Sequence, residues 1–466
     1  MGHYCYLLEC ADGSYYTGWT LDPQRREKQH NSGRGAKYTA LHRPVHLVYI
    51  EEVPDLSSAL KRERAIKNLT HKQKAALAKN YRQAIMNSTP KEVTVLSPGR
   101  VNLLGEHVDY NDGLVFPAAI DREVTIHAVA LEEPVVRINA TDLNESVVFC
   151  LEGLDKKIDV DGSPLPGWAL YPAGVALVLQ SHGLKVSGCE VEFTSTVPIG
   201  AGLSSSAAVE VGFAVMWEAL GGWKLDRITL AQYAQEAEVK YAGVNCGLMD
   251  QFAAANGVAE HALLFDTRSL EWKPVKLPKG TRIVIANSGV HHNLASSEYN
   301  TRHNECNQAV EILKRSYPAI KALRDVSPEQ LEAAKSDLPE NVYKRARHVV
   351  NEYKRVLKAV DYLDKNDSKG FGQILFETHA SLRDDYEVSC PETDLLVEIA
   401  QKIEGCLGAR ITGGGFGGCT VNLVKEKAVD PFIAALKAEY LARTGIDAAI
   451  FPCKAAEGAH VVQSVH

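Results

Sequence analysis

Short alternating strands interspersed with amphipathic helical runs predict an α+β protein, or a mixed α/β one where the two interleave, built as more than one domain. Val93-Thr94-Val95-Leu96 and Cys189-Glu190-Val191-Glu192-Phe193 alternate in side-chain character as short strands do. Ala231 to Tyr241 and Asn341 to Leu363 carry apolar positions at helical spacing. A length of 466 residues exceeds one domain at about 100–200 residues each, so two to four domains with ample core are expected.

Charge divides the chain unevenly. Residues 1–85 carry 14 Lys and Arg against 8 Asp and Glu, or +6, leaving 37 against 50, or −13, for the rest of a chain of net charge −7. A basic small module suits a polyanion such as nucleic acid, although a solvated basic face fits the charge equally well. The acidic remainder is unsuited to gripping a nucleic-acid backbone. Ten cysteines show no CxxC pair and no His/Cys ligand cluster, as expected of a thiol-bearing cytosolic chain rather than a disulfide or zinc scaffold. No apolar run reaches the roughly 18 residues of a membrane span. The N-terminus lacks a signal-like apolar region, and Met1-Gly2-His3-Tyr4-Cys5-Tyr6 fails the myristoylation pattern at its sixth position. A soluble, cytoplasmic protein without membrane partners is expected.

From Tyr81 to Glu92 a Lys/Ala-rich helical pattern gives way to polar Asn87-Ser88-Thr89-Pro90, a loop composition that marks a boundary. Near residue 290 the apolar strand Arg282-Ile283-Val284-Ile285-Ala286 yields to mostly helical sequence. The expected division is a module at 1–83, a linker at 84–92, and two further lobes at 93–289 and 290–466. No internal repeat or low-complexity tract is present.

In the first module, Cys5-Tyr6-Leu7 and Tyr16-Thr17-Gly18 flank the hairpin signal Asp12-Gly13. Glu63 shares a helical face with Ala59, Leu60 and Ile66, while Lys61, Arg62, Arg64 and Lys67 lie elsewhere. An acid on an apolar stripe under a basic outer face suits a metal site near a nucleic-acid groove; a salt bridge to a nearby arginine accounts for it as well. Residues 4–79 resemble a GIY-YIG endonuclease domain of the small, stand-alone type, similar also to the Slx-type structure-specific nucleases. Both signatures depart from the literal motif while keeping the tyrosine, and Trp19 stands where some families have lysine. The resemblance implies a small α/β domain with a site of Tyr6, Tyr16, Arg26, His30 and Glu63. In it a tyrosine or metal-bound water activates the nucleophile, the arginine meets the scissile phosphate, and Glu63 takes a divalent cation. It further implies nucleic acid as a partner of residues 1–83.

Beyond the boundary, Arg100, Glu106, His107 and Asp109 fall within ten positions of Gly99-Arg100-Val101-Asn102-Leu103-Leu104-Gly105-Glu106-His107-Val108-Asp109-Tyr110. Such a cluster meets a polar ligand or forms a salt-bridge network. Pro198-Ile199-Gly200-Ala201-Gly202-Leu203-Ser204-Ser205-Ser206-Ala207 follows a strand and opens a helix that stops at Gly221-Gly222. Small residues let backbone N–H groups approach phosphates, and the serine hydroxyls add donors or a metal ligand; an N-capped helix after a tight turn reads the same way. The absence of GxxxxGK[ST] excludes a P-loop NTPase. Glu238 lies beside the stripe Leu230, Ala234, Ala237, Tyr241, where a buried carboxylate needs a cation or a partner. Asp250 sits between apolar neighbours in Cys246-Gly247-Leu248-Met249-Asp250-Gln251-Phe252. Gly413, Gly415 and Gly418 form a GxGxxG followed by strand-like Cys419-Thr420-Val421-Asn422-Leu423-Val424, where a dinucleotide fingerprint requires a helix.

These motifs together resemble the galactokinase branch of the GHMP small-molecule kinase superfamily over roughly residues 90–466. Departures are slight, chiefly Leu104 where isoleucine is usual. The resemblance implies a two-lobed fold, the first lobe with ribosomal-S5-like βαβ features and the second α/β. It implies transfer of the ATP γ-phosphoryl group to the anomeric hydroxyl of D-galactose, with ATP as co-substrate and Mg²⁺ as cofactor. By resemblance, Asp250 takes the hydroxyl proton and Arg100 stabilises charge; Glu106, His107, Asp109, Gly247 and Tyr299 bind sugar. Gly200, Ala201, Gly202, Leu203, Ser204, Ser205 and Ser206 hold the phosphates, Trp168 and Tyr171 stack on adenine, and Ser206 with Glu238 holds the metal. Tyr299, Trp168 and Tyr171 are also met by plain core packing. N-acetylgalactosamine or L-arabinose kinases share the fold, and a non-catalytic sugar sensor is a further alternative that intact Ser204 to Ala207 and Asp250 count against.

Overall fold

The computed structural model describes residues 2–88, 91–198, 200–291 and 295–465. Its chain forms two compact units, 1–90 and 91–465.

The first unit has a three-stranded antiparallel sheet, order β2-β1-β3, of β1 (His3–Cys10), β2 (Tyr15–Thr20) and β3 (Val45–Val53). The β1–β2 turn carries Gly13 at φ 79°, in keeping with the hairpin signal. Helices α1 (Pro23–Asn31) and α2 (Lys37–Leu41) precede β3, and α3 (Leu56–Lys67) and α4 (His71–Ser88) follow it. Asp22 caps α1 by accepting from Arg25 N at 2.9 Å, with Pro23 at the first helical position. Asp55 caps α3 in the same way through Ser58 N at 2.7 Å. Helix α4 runs to Ser88, so helical backbone fills the first half of the expected linker.

The second unit opens with β4 (Glu92–Asn102), β5 (Leu114–Val115), β6 (Pro117–Ala130), β7 (Val135–Ala140) and β8 (Glu145–Cys150). Then come α5 (Leu170–Ser181), β9 (Cys189–Ser195), α6 (Ser205–Gly221), α7 (Arg227–Ala237) and α8 (Met249–Asn256). Strands β10 (His261–Asp266), β11 (Trp272–Lys276) and β12 (Thr281–His291) lead to α9 (Ala295–Leu313), α10 (Pro328–Ala333), α11 (Glu340–Asp364), α12 (Ser368–Ser381) and α13 (Pro391–Lys402). The chain closes with β13 (Cys406–Thr412), β14 (Gly417–Lys425), α14 (Val429–Thr444), β15 (Ala449–Cys453) and β16 (His460–Val465).

A six-stranded sheet has the order β16-β4-β6-β9-β7-β8, with only β7 and β9 parallel, and β11-β10-β5 form a small sheet beside it. Apolar residues of α5, α6 and α7 share one core with this sheet. The four-stranded sheet β13-β14-β12-β15 is antiparallel throughout. Along β12, Ile283 and Ile285 enter the core shared with α11 and α12, while Val284 and Ala286 enter the one shared with α13 and α14. That period-two split buries the strand on both faces, which explains its continuous apolar run. It also corrects the division expected at 289/290, which falls inside β12; the partners of β12 are all C-terminal, and β16 returns to β4.

The helix expected through Tyr241 ends as α at Ala237 and continues as a π turn, Glu238–Ala242, a departure common at functional sites. Among the described residues no helix is long and apolar enough to cross a membrane.

Candidate active site

Three glycine-bearing turns meet at the N-terminus of α6. Arg100 N donates to Leu203 O at 3.1 Å, and a Cβ on Gly99 would lie 2.8 Å from that same oxygen, so only glycine lets β4 approach the Gly/Ser loop. Gly200, Gly202 and Ser204 hold φ of 70°, 75° and 56°, which bends the chain sharply into α6. From the other side, a Cβ on Gly413 would meet Gly202 O at 2.9 Å. The run Gly413 to Gly418 is the turn between antiparallel β13 and β14, with no helix after it. Ile199 lies outside the described residues.

Arg100, 4% exposed, forks onto Asp250: Nε donates to Oδ1 at 2.8 Å and Nη2 to Oδ2 at 2.7 Å. Its Nη1 donates to Gly202 O at 2.6 Å, and Ser204 Oγ donates to Asp250 Oδ2 at 2.5 Å. The carboxylate at the start of α8 is thereby fixed beside the loop expected to hold phosphates.

A cavity of about 270 Å³ opens next to this pair, lined by Arg100, Glu106, His107, Asp109, Asp250 and Tyr299 among others. His107 is buried with a left-handed φ of 59°. Its Nδ1 is bonded to Tyr110 Oη at 2.9 Å, and the Gly414 backbone lies within reach of the ring. Burial lowers its pKa to about 3, so the ring is neutral. Burial, then Asp250 and Glu106, push the Asp109 carboxyl up to about 7. A Cβ on Gly247 would lie 1.8 Å from Asp109 Oδ2, so the glycine makes room for that carboxylate. The Tyr299 ring stands 5.5 Å from that of His107, and burial raises its hydroxyl well above the ordinary range.

Sequence reasoning missed the residues that hold this loop from behind. Fully buried Arg410 donates through Nη2 to Glu106 Oε2 at 2.6 Å, and Gly413 N reaches the same oxygen at 3.2 Å. Glu352 Oε1 accepts from Gly105 N at 2.8 Å, and its Oε2 accepts from Arg355 Nε at 2.6 Å and Thr378 Oγ1 at 3.0 Å. Burial opposes ionisation of Glu352, yet Arg355 and His348 hold it at about 2. His348 Nε2 meets Glu106 O at 3.1 Å. A signal existed for Glu352, which sits between buried Val349 and Val356 on the apolar stripe of α11.

Glu238, 5% exposed, accepts from Cys246 Sγ at 3.2 Å and lies close enough to the Ser206 hydroxyl for it to lower the carboxyl pKa. Burial first, and Asp250 among the smaller causes, raise its pKa. Trp168 lies in a 3₁₀ turn at Gly167–Ala169 and Tyr171 in the first turn of α5. Trp168 Nε1 donates to Glu145 Oε2 at 2.6 Å and its ring lies 5.8 Å from Phe193. Tyr171 instead sits within reach of Glu238 and Glu210, and burial first, then these charges, push its hydroxyl up to about 12.

In the first unit, Tyr6 pairs with Gly18 and Leu8 with Tyr16 across β1 and β2, so both tyrosines share a face. A Cβ on Gly18 would lie 2.4 Å from Tyr6 Oη. Arg26 Nε donates to Tyr6 Oη at 3.3 Å, and that hydroxyl lies 3.0 Å from His30 Nε2. Thr39 Oγ1 lies 2.6 Å from His30 Nδ1 and 2.9 Å from Ala36 O, and Ala36 N donates to the same Nδ1 at 3.4 Å, so the ring is held from this side as well. Burial lowers the pKa of His30 to about 4 and raises that of Tyr6 to about 12. Tyr16 closes the group, its ring 5.0 Å from His30. Glu63 acts electrostatically on Tyr6, but its expected surroundings need correction: Leu60 is 48% exposed, and Lys67, one turn on, bonds Glu63 Oε1 at 2.8 Å. Among the described residues no three His, Cys, Asp or Glu side chains gather as a metal cluster.

Comparisons with known proteins agree with both halves. Residues 2–76 match the GIY-YIG catalytic domain. Residues 79–129 match the galactokinase galactose-binding signature, 171–258 the GHMP kinases N terminal domain and 359–442 the GHMP kinases C terminal domain. A galactokinase of Roseiflexus sp. (strain RS-1) is 45% identical over 366 residues, 78% of this chain and 92% of the relative. A galactokinase of Chloroflexus aggregans is 43% identical over the same shares. The crystal structure of Lactococcus lactis galactokinase complexed with galactose superposes with a TM-score of 0.75 at 34% identity, covering 83% of this chain and 99% of that one. With nearly the full length of such relatives spanned by residues that build one cleft from all three glycine turns, the chain belongs to the galactokinase family.

Proposed function

We propose that the second unit transfers the γ-phosphoryl group of ATP to the anomeric hydroxyl of galactose, giving galactose 1-phosphate and ADP. The observation that carries this reading is the convergence of Arg100, Glu106, His107, Asp109, Asp250 and Tyr299 on one monosaccharide-sized cavity beside the Gly/Ser loop. Galactose carries several hydroxyls and no charge, so buried carboxylates and a neutral imidazole are suitable partners. Asp250 accepts the hydroxyl proton while Arg100 holds it in place and neutralises charge beside it. Residues Gly200 to Ser206 offer backbone N–H groups and hydroxyls to the phosphates at the start of α6. Trp168 and Tyr171 are the aromatic faces offered to adenine in this reading.

The Ser206 hydroxyl and Glu238 carboxylate, close to one another, are hard oxygen donors and fit Mg²⁺. Bound there, Mg²⁺ would neutralise charge on the transferring phosphates. Release of ADP with galactose, N-acetylgalactosamine and L-arabinose tests the sugar. Preferred turnover on galactose is expected; preference for another sugar reassigns the substrate, and galactose binding without turnover makes the unit a sensor.

For the first unit we propose a nuclease acting on nucleic acid, carried by the contact of Tyr6 with Arg26 and with His30 Nε2. His30 holds the Tyr6 hydroxyl in place and Arg26 faces the scissile phosphate. A divalent cation would attach at Glu63, which must first leave Lys67, and no step is assigned to it. Binding to DNA should weaken linearly with log salt; a flat response contradicts phosphate contact.

A further inference from the structure

Two carboxylates are buried behind the phosphate-binding loop, and one amide holds both. Glu210, on α6, is fully buried. Gln251 Nε2 donates to Glu210 Oε2 at 2.9 Å and to Glu238 Oε2 at 2.5 Å. An amide nitrogen has two hydrogens, so one goes to each carboxylate and none remains. Among the described residues, Glu210 Oε1 and Gln251 Oε1 are buried without partners, on the two side chains that already share a contact. Two acceptors cannot satisfy each other, and leaving both unmade is costly. A proton on Glu210 Oε1 turns one into a donor and lets acid and amide face each other with matched edges. In agreement, burial and then the Glu238 charge hold the Glu210 carboxyl well above the ordinary range.

Gln251 follows Asp250 directly in the first turn of α8, so one turn of helix carries both the proposed base and the amide that grips Glu238. Its rotation is fixed at the far end by Glu210, whose helix is locked in the core by Val211, Phe213 and Ala214.

We propose that Glu210 and Gln251 are a positioning pair that fixes the Glu238 carboxylate in its orientation for the metal. The inference rests on reading Glu238 as a Mg²⁺ ligand. The test uses the full chain with a non-hydrolysable ATP analogue and Mn²⁺ as probe, with bound and free Mn²⁺ read by electron paramagnetic resonance. Glu210→Ala and Gln251→Ala are expected to weaken Mn²⁺ binding about 10–100-fold, the usual loss when a ligand's supporting partner is removed. Glu210→Gln keeps one acceptor and one donor edge toward Gln251 and is expected to bind Mn²⁺ close to the wild-type level. Galactose binding by calorimetry reports whether each variant is folded; where Glu210→Ala is not, Gln251→Ala decides. Wild-type Mn²⁺ binding in the truncations, or a Glu210→Gln as damaged as Glu210→Ala, overturns the inference. Glu238→Ala separates the two layers. If it too binds Mn²⁺ normally, the metal reading itself fails; if it alone loses binding, only the positioning pair does.

Discussion

Arg100 and Asp250, 150 residues apart, meet as a two-point pair at 2.8 and 2.7 Å, one side chain 5% and the other 27% exposed. Planar guanidinium matches planar carboxylate, so the pair fixes where the carboxylate oxygens point as well as neutralising charge. Arg100→Lys keeps the charge and loses the fork. We expect kcat to fall by about 10²-fold, the scale of a small misplacement at the reacting atoms, with a smaller change in the KM for galactose. Steady-state kinetics check this; an unchanged kcat would mean that orientation of Asp250 is not what Arg100 supplies.

Gly247 is a steric requirement of the sugar cleft. Gly247→Ala places a methyl 1.8 Å from the present position of Asp109 Oδ2 and must displace that carboxylate. The KM for galactose should rise by at least about tenfold while the circular dichroism spectrum is retained, since about 1.4 kcal/mol of lost contact is enough. A variant with wild-type KM would show that Asp109 does not serve the sugar.

Asp109 also sets a pH dependence. Its folded pKa of about 7 lies above the ordinary 3.8, so the folded state binds the proton more tightly and the stability gained is complete below pH 4 and lost as pH rises through 7. Asp109→Asn should therefore raise Tm relative to wild type by an increment that grows between pH 4 and pH 7 and then levels. A Tm difference that is flat with pH would contradict the raised pKa.

The four catalytic-type segments were legible in the sequence because each packs its chemistry into a few consecutive residues, as in Gly99 to Tyr110. Glu238 was legible for another reason, a carboxylate beside an apolar stripe. What escaped depends on contacts between distant segments. Arg410 reaches Glu106 across 304 positions and Glu352 reaches Gly105 across 247, and no local pattern records either meeting. The lobe boundary was misplaced because strand composition says how buried β12 is and nothing about which sheet it joins.

In the first unit, Tyr6→Phe removes the hydroxyl shared by Arg26 and His30 and leaves the ring in its packing. Cleavage of labelled DNA should be lost with binding retained. Cleavage at the wild-type rate would remove Tyr6 from the chemistry.

The proposed chemistry turns on Asp250 taking the proton of a galactose hydroxyl during phosphoryl transfer. The most direct measurement is ADP release by purified wild type and Asp250→Asn with ATP, Mg²⁺ and galactose, with galactose binding followed in parallel. Turnover by wild type is expected, with kcat lower by about 10²–10⁴-fold in the variant and galactose still bound. An Asn variant that turns over galactose as fast as wild type would contradict it.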